Sequence, residues 1–112
     1  MAHSDTPFTI IESPLFNKLW PDYWTEDERG EFAAFIANNP DAGDVIPGSG
    51  GCRKIRWSRS GSGKRGGVRV IYTARLKKGT VVLLVIYAKS AQENIPAHIL
   101  RQIAEEMGHA SS

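Results

Sequence analysis

The chain of 112 residues holds a single cysteine, Cys52. One thiol cannot build an internal disulfide framework, which suits a reducing cytoplasm. Long apolar runs are also missing. The longest, Val81 to Ala88, falls far short of the roughly 20 residues a membrane-spanning helix needs. The opening residues carry no basic-then-apolar secretion pattern, so a cytoplasmic protein without a membrane partner is expected. No metal constellation is present: His3, His98 and His109 are scattered through the terminal segments, and Cys52 has no partner at ligand spacing. A Ser-His-Asp pattern is absent. The glycine-rich run Gly61–Gly67 lacks both the spacing of a phosphate loop and a hydroxyl residue after Lys64. No cofactor and no metal are expected.

Acid is missing where base is richest. Seven of the fourteen Lys and Arg residues lie between Arg53 and Arg69, and no Asp or Glu lies among them. The net charge is only +2, so distribution matters more than the total. Acids gather in Glu26–Glu31 and the C-terminal segment, cations in the middle. An uncompensated block of this kind calls for an anion, and its length calls for a polyanion.

Length predicts one domain over residues 1–112, with 1–6 a loose leader and 108–112 a loose tail. An apolar share of 41% and a charged share of 23% are those of an ordinary globule. Phe8–Ile11 reads as a first strand. Ser13-Pro14 opens a helix, with Ser13 as N-cap, and Leu15, Phe16, Leu19 and Trp20 recur at helical spacing. Thr25-Glu26-Asp27-Glu28 is a capping box for a second helix with Phe32, Phe35 and Ile36 as its stripe, giving a helical hairpin. Asp41–Gly51 reads as a loop, with Asp44 a turn residue. Three strands follow: Arg53–Arg59, Val68–Arg75 and Val81–Tyr87, the last apolar throughout and so central. Gln92–Met107 reads as a final helix, with Arg101 and Glu105 paired at i,i+4. The order is β-α-α-β-β-β-α, an α+β fold: a small, mainly antiparallel sheet with the helices packed on it.

Strand alternation sorts the cations. Ile55 and Trp57 share a face with Arg53 and Arg59, which leaves Lys54, Arg56 and Ser58 on the other. Arg69 interrupts an apolar strand, and such a cation needs a task or a partner. Tyr87 and Lys89 stand near the end of the last strand. A Lys/Arg/Tyr set without metal ligands suits RNA cleavage by the neighbouring 2′-OH. Arginine forks grip the phosphate and its transition-state charge, and a Lys crowded by cations loses proton affinity and can transfer protons. Trp57, Tyr72 and Tyr87 could stack on bases. Each has a plainer reading: Arg53 and Arg59 as solvated strand edges, Arg69 as partner of a helix acid, Tyr72 and Tyr87 as half-buried core, Cys52 as a small buried residue.

Three segments carry a resemblance: Gly43-Asp44-Val45-Ile46-Pro47-Gly48-Ser49-Gly50-Gly51-Cys52-Arg53-Lys54-Ile55-Arg56-Trp57, Gly63-Lys64-Arg65-Gly66-Gly67-Val68-Arg69-Val70-Ile71-Tyr72, and Leu84-Val85-Ile86-Tyr87-Ala88-Lys89. Together they resemble the RelE/ParE superfamily of bacterial toxins, its HigB-like branch in particular, over about Phe8 to Met107. The resemblance implies a RelE-like fold and ribosome-dependent cleavage of mRNA in the A site. It also implies a cognate antitoxin partner, HigA-like, with a DNA-binding helix-turn-helix. Lys54, Arg56 and Arg69 match the family's RNA-polarising and phosphate-stabilising cations, Lys89 is the nearest match to a basic residue after the last strand, and Tyr87 joins them as a catalytic candidate. Arg53, Trp57, Lys64, Arg65 and Tyr72 are the RNA-binding candidates. Relatives place a Tyr on the C-terminal segment as base. Glu93-Asn94-Ile95-Pro96 has none, which leaves Lys54, Tyr72, Tyr87 or the ribosome for that role. The alternatives are a ParE-like gyrase inhibitor, or an inert RNA-binding domain sequestered by an antitoxin.

Overall fold

Helix starts follow the capping chemistry written in the sequence. The computed structural model describes residues 6–58, 67–88 and 96–111. Strand β1 (Thr9–Glu12) runs into helix α1 (Pro14–Leu19). Ser13 is its N-cap: the Oγ accepts from the Phe16 N–H at 3.0 Å and donates to the Leu84 carbonyl at 2.8 Å. One buried hydroxyl therefore both caps the helix and ties it to the sheet. A 3₁₀ turn over Trp20–Asp22 leads to α2 (Glu26–Asn38). The Thr25 Oγ1 accepts from the Glu28 N–H at 3.2 Å, and the Glu28 carboxylate accepts from the Thr25 N–H at 2.8 Å, which closes the expected capping box.

The remaining strands are β2 (Asp44–Val45), β3 (Arg53–Trp57), β4 (Val68–Arg75) and β5 (Thr80–Ala88). They form one sheet in the order β1-β5-β4-β3-β2, with β1 parallel to β5 and every other pair antiparallel. The sheet is mainly antiparallel, as the pattern predicts, with two differences. Asp44–Val45, expected to be loop, is an edge strand on β3. The register also shifts between Ile71 and Tyr72, where β5 carries Leu84 as an extra residue.

Each face of the sheet has its own core. On one, Phe16, Trp20, Phe32 and Ile36 from the N-terminal helices pack on Val70, Tyr72, Val81, Leu83 and Ile86. On the other, Leu100 of α3 (Ala97–Ser111) packs on Cys52, Ile71, Val82, Leu84 and Val85. β5 is thus covered on both sides, which its unbroken apolar run requires. Arg101 does not pair with Glu105; its Nη2 donates across to the Gly48 carbonyl at 3.4 Å. No helix among the described residues is long and apolar enough to cross a membrane.

Candidate nucleic-acid interface

Two aromatic contacts orient β3. The Trp57 ring lies 5.1 Å from Phe32 and 5.0 Å from Phe35, centroid to centroid, and Ile55 packs into the same core. With odd positions held inward, Lys54, Arg56 and Ser58 turn to the opposite face, where all three are exposed. The antiparallel register then builds a row across three strands. Arg56 stands opposite Arg69 on β4, and Arg69 stands opposite Tyr87 on β5. Side chains opposite each other share a face, with Cβ atoms about 5 Å apart. Lys54, opposite Ile71, lies two residues along the same face. Arg69 and Tyr87 are half-buried. α3 covers the neighbouring stretch around Ile71 and Val85.

At the start of β4, Gly67 has φ +68°, and a β-carbon there would collide with the Trp57 carbonyl oxygen. Only glycine allows β4 to begin this close to the end of β3. Lys64, Arg65 and Lys89 lie outside the described residues. Lys54 and Arg56 enter no ion pair among the described residues; the ion pairs given by the side-chain geometry join Arg29 to Glu12 at 3.0 Å and to Glu26 at 3.2 Å. No group of three His, Cys, Asp or Glu side chains that could hold a metal gathers among the described residues.

Three of the sequence candidates stand on the other side of the sheet. Trp57 is the aromatic wedge between Phe32 and Phe35. Arg53 donates through Nη1 to the Gly43 carbonyl at 2.7 Å and the Asp41 carbonyl at 3.3 Å. Tyr72 is 0% exposed, and its Oη accepts from the Gly43 N–H at 2.8 Å. Burial pushes the Tyr72 phenol above its ordinary pKa, opposed by the Gly43 hydrogen bond and the Arg53 charge. A neutral phenol without solvent access can neither stack on a base nor take a proton, so Tyr72 is a core residue that supports the β2–β3 corner. The same corner holds an acid whose place in the sheet the sequence pattern does not disclose. Asp44 stands opposite Lys54 in the β2–β3 register and is exposed. It sets a carboxylate at the rim of the cation face. A two-residue strand inside a glycine-rich stretch has no periodicity that could have revealed it. Cys52 is 0% exposed; burial raises its thiol pKa, and a hydrogen bond with Ser49 pulls it down.

No protein-family model matches the chain. Solved structures do. A mutant of the E. coli toxin RelE in the free state superposes with a TM-score of 0.58 at 15% identity, covering 90% of this chain and 97% of that one. The toxin–antitoxin complex RelBE of E. coli matches at 0.56 and 17%, covering 77% and 99%. A RelBE toxin–antitoxin complex from Mycobacterium tuberculosis matches at 0.52 and 17%, covering 79% and 98%. Identities this low speak to architecture, and the architecture is consistent across all three: the chain has the fold of the RelE toxins.

Proposed function

We propose that this chain is the toxin of a toxin–antitoxin module, a HigB-like, ribosome-dependent mRNA endoribonuclease of the cytoplasm. The observation that carries the reading is the row Arg56–Arg69–Tyr87 with Lys54 beside it, on one face of the sheet. Two guanidinium groups directly opposite one another repel. A phosphodiester held between them relieves that repulsion and receives charge-assisted, forked hydrogen bonds.

The reaction that suits this set is attack by the RNA's own 2′-oxygen on the adjacent phosphorus. The 2′-OH proton passes to a base, the P–O5′ bond breaks, and the leaving 5′-oxygen takes up a proton. The products are a 2′,3′-cyclic phosphate and a 5′-hydroxyl. Arg56 and Arg69 hold the phosphoryl oxygens as charge develops on them. Lys54 and Tyr87 are the groups on this face that can carry the two protons. Lys89, Lys64 and Arg65 extend the same cation set in this proposal, and the ribosome positions the mRNA. Arg53, Trp57 and Tyr72 have no part in it. The antitoxin-bound forms of the structural relatives support a cognate antitoxin for this chain, and the reading makes it HigA-like.

The test is cleavage of mRNA on programmed ribosomes by the purified chain, with the new 3′ and 5′ ends identified. Arg56→Ala and Arg69→Ala should each reduce the cleavage rate by about 100-fold or more, as loss of one electrostatic stabiliser commonly does. Uncut mRNA with the native chain, or cleavage unchanged by both substitutions, would falsify the proposal. Inhibition of DNA supercoiling by the same preparation would point to the gyrase alternative.

A further inference from the structure

Arg53 carries a charge that no side chain answers. It alternates with Lys54 and so stands on the opposite side of the sheet, where it is half-buried. Its Nη1 is taken up by the Gly43 and Asp41 carbonyls at 2.7 and 3.3 Å. Carbonyls orient a guanidinium group and supply no countercharge, and Arg53 enters no ion pair among the described residues. Its Nε–H and Nη2–H edge, the fork that a carboxylate meets with both oxygens, has no partner among the described residues.

This guanidinium group belongs to the wall of a cleft of 810 Å³, inside the range of about 300–1,000 Å³ usual for small-molecule sites. Five segments meet around it: the chain before β1, the end of α2 with the turn after it, β2, the start of β3, and the end of β4 with its following turn. Phe8, Ala37, Pro40, Val45, Ala74 and Leu76 make most of the lining apolar. Val45 and Leu76 are 54% and 69% exposed, large hydrophobic side chains left in water. Among the described residues, the one other charged side chain in the lining is Asp41.

We infer that this cleft binds a small carboxylate with an apolar body, of the medium-chain fatty-acid class, with the carboxylate on the Arg53 fork and the hydrocarbon along the apolar wall. One guanidinium group balances one negative charge. Asp41 in the same wall repels a second, which disfavours a phosphate dianion. The remaining lining favours hydrocarbon over a polar ligand. The site lies on the reverse of the sheet from Lys54 and Arg56, so the inference does not rest on the RNA reading.

Calorimetric titration of the full chain with decanoate, kept below the concentration at which it forms micelles, tests this. One saturable site is expected. Lengthening the acid from hexanoate to decanoate should tighten binding about 4-fold per methylene. Decanol, which keeps the chain and loses the charge, should bind about 10-fold more weakly than decanoate. Arg53→Gln should weaken decanoate by a similar factor and leave decanol unchanged. That substitution also gives up the carbonyl contacts of Arg53, so thermal unfolding reports whether the fold survives. Leu76→Asp supplies an independent variant: at a position 69% exposed it sets a second carboxylate at the cleft and should weaken decanoate more than decanol. The absence of a saturable site overturns the inference. So does equal affinity for decanol and decanoate, or decanoate binding unchanged in both variants. Displacement of decanoate by a lower concentration of a peptide with an apolar C-terminal residue would assign the cleft to the end of another protein chain, and would overturn the free-acid reading.

Discussion

Replacing Tyr72 by Phe removes one oxygen from the core and little else. The ring stays in a space that is 0% exposed. The Gly43 N–H, which donates to the Tyr72 Oη at 2.8 Å, is left buried without its acceptor. Stranding a buried donor costs about 1–3 kcal/mol. For a chain of this size that corresponds to a fall in Tm of about 5–15 °C. Urea unfolding should show the same loss in midpoint with an unchanged slope, because the surface exposed on unfolding is the same. The pH dependence adds a signature. Burial holds the Tyr72 phenol above its ordinary value of 10.0 in the fold. The unfolded chain therefore releases this proton first as pH rises. The native protein keeps this contribution in full below pH 10 and loses it as pH climbs through the raised value, whereas Tyr72→Phe has no such contribution to lose. RNA affinity should not change, since the phenol lies on the opposite side of the sheet from Lys54, Arg56 and Arg69. A variant as stable as the native chain but weaker on RNA would refute the assignment of Tyr72 to the core.

Three further outcomes rest on the same geometry. Gly67→Ala should destabilise by more than about 2 kcal/mol in equilibrium unfolding, because the new β-carbon meets the Trp57 carbonyl in a backbone with φ +68°; a neutral result would mean the β3–β4 entrance can open. Arg56→Thr, at an exposed position of β3, should leave the stability within about 0.5 kcal/mol while lowering cleavage. A variant that loses both stability and cleavage would mean that Arg56 holds the sheet together. Cys52, 0% exposed and with its thiol pKa raised by burial, should react with a maleimide on the order of 100-fold more slowly than in the unfolded chain. Fast labelling of native protein would place the thiol at an opening surface.

Much of this fold is legible because its elements carry local signals. Ser13-Pro14 and the Thr25/Glu28 box start their helices where side-chain oxygens can meet free N–H groups, and both sets of bonds form. The apolar run of β5 is central because nothing polar interrupts it. The parallel pairing of β1 with β5 and the two-residue β2 have no such signals. Each is decided by what the rest of the chain brings alongside. The site divides in the same way. Alternation along Arg53–Trp57 already separates Lys54 and Arg56 from Trp57, and grouping Trp57 with the RNA contacts set that alternation aside. The Arg56–Arg69–Tyr87 row, by contrast, depends on register between strands, which no single strand encodes.

The cation face is therefore a product of the core on the other side of the sheet. A strand side-chain period of two means that a slip of one residue in β3 would turn Lys54 and Arg56 into the apolar layer and bring Ile55 and Trp57 out. What forbids the slip is aromatic: Trp57 against Phe32 and Phe35, and Tyr72 anchoring Gly43 at the strand's other end. Burying two cations and exposing an isoleucine and a tryptophan would cost several kcal/mol. Apolar burial therefore sets the register, and with it the exposed position of Lys54 and Arg56 on the opposite face. The core residues on the far side of the sheet therefore decide which cations the proposed RNA site can present.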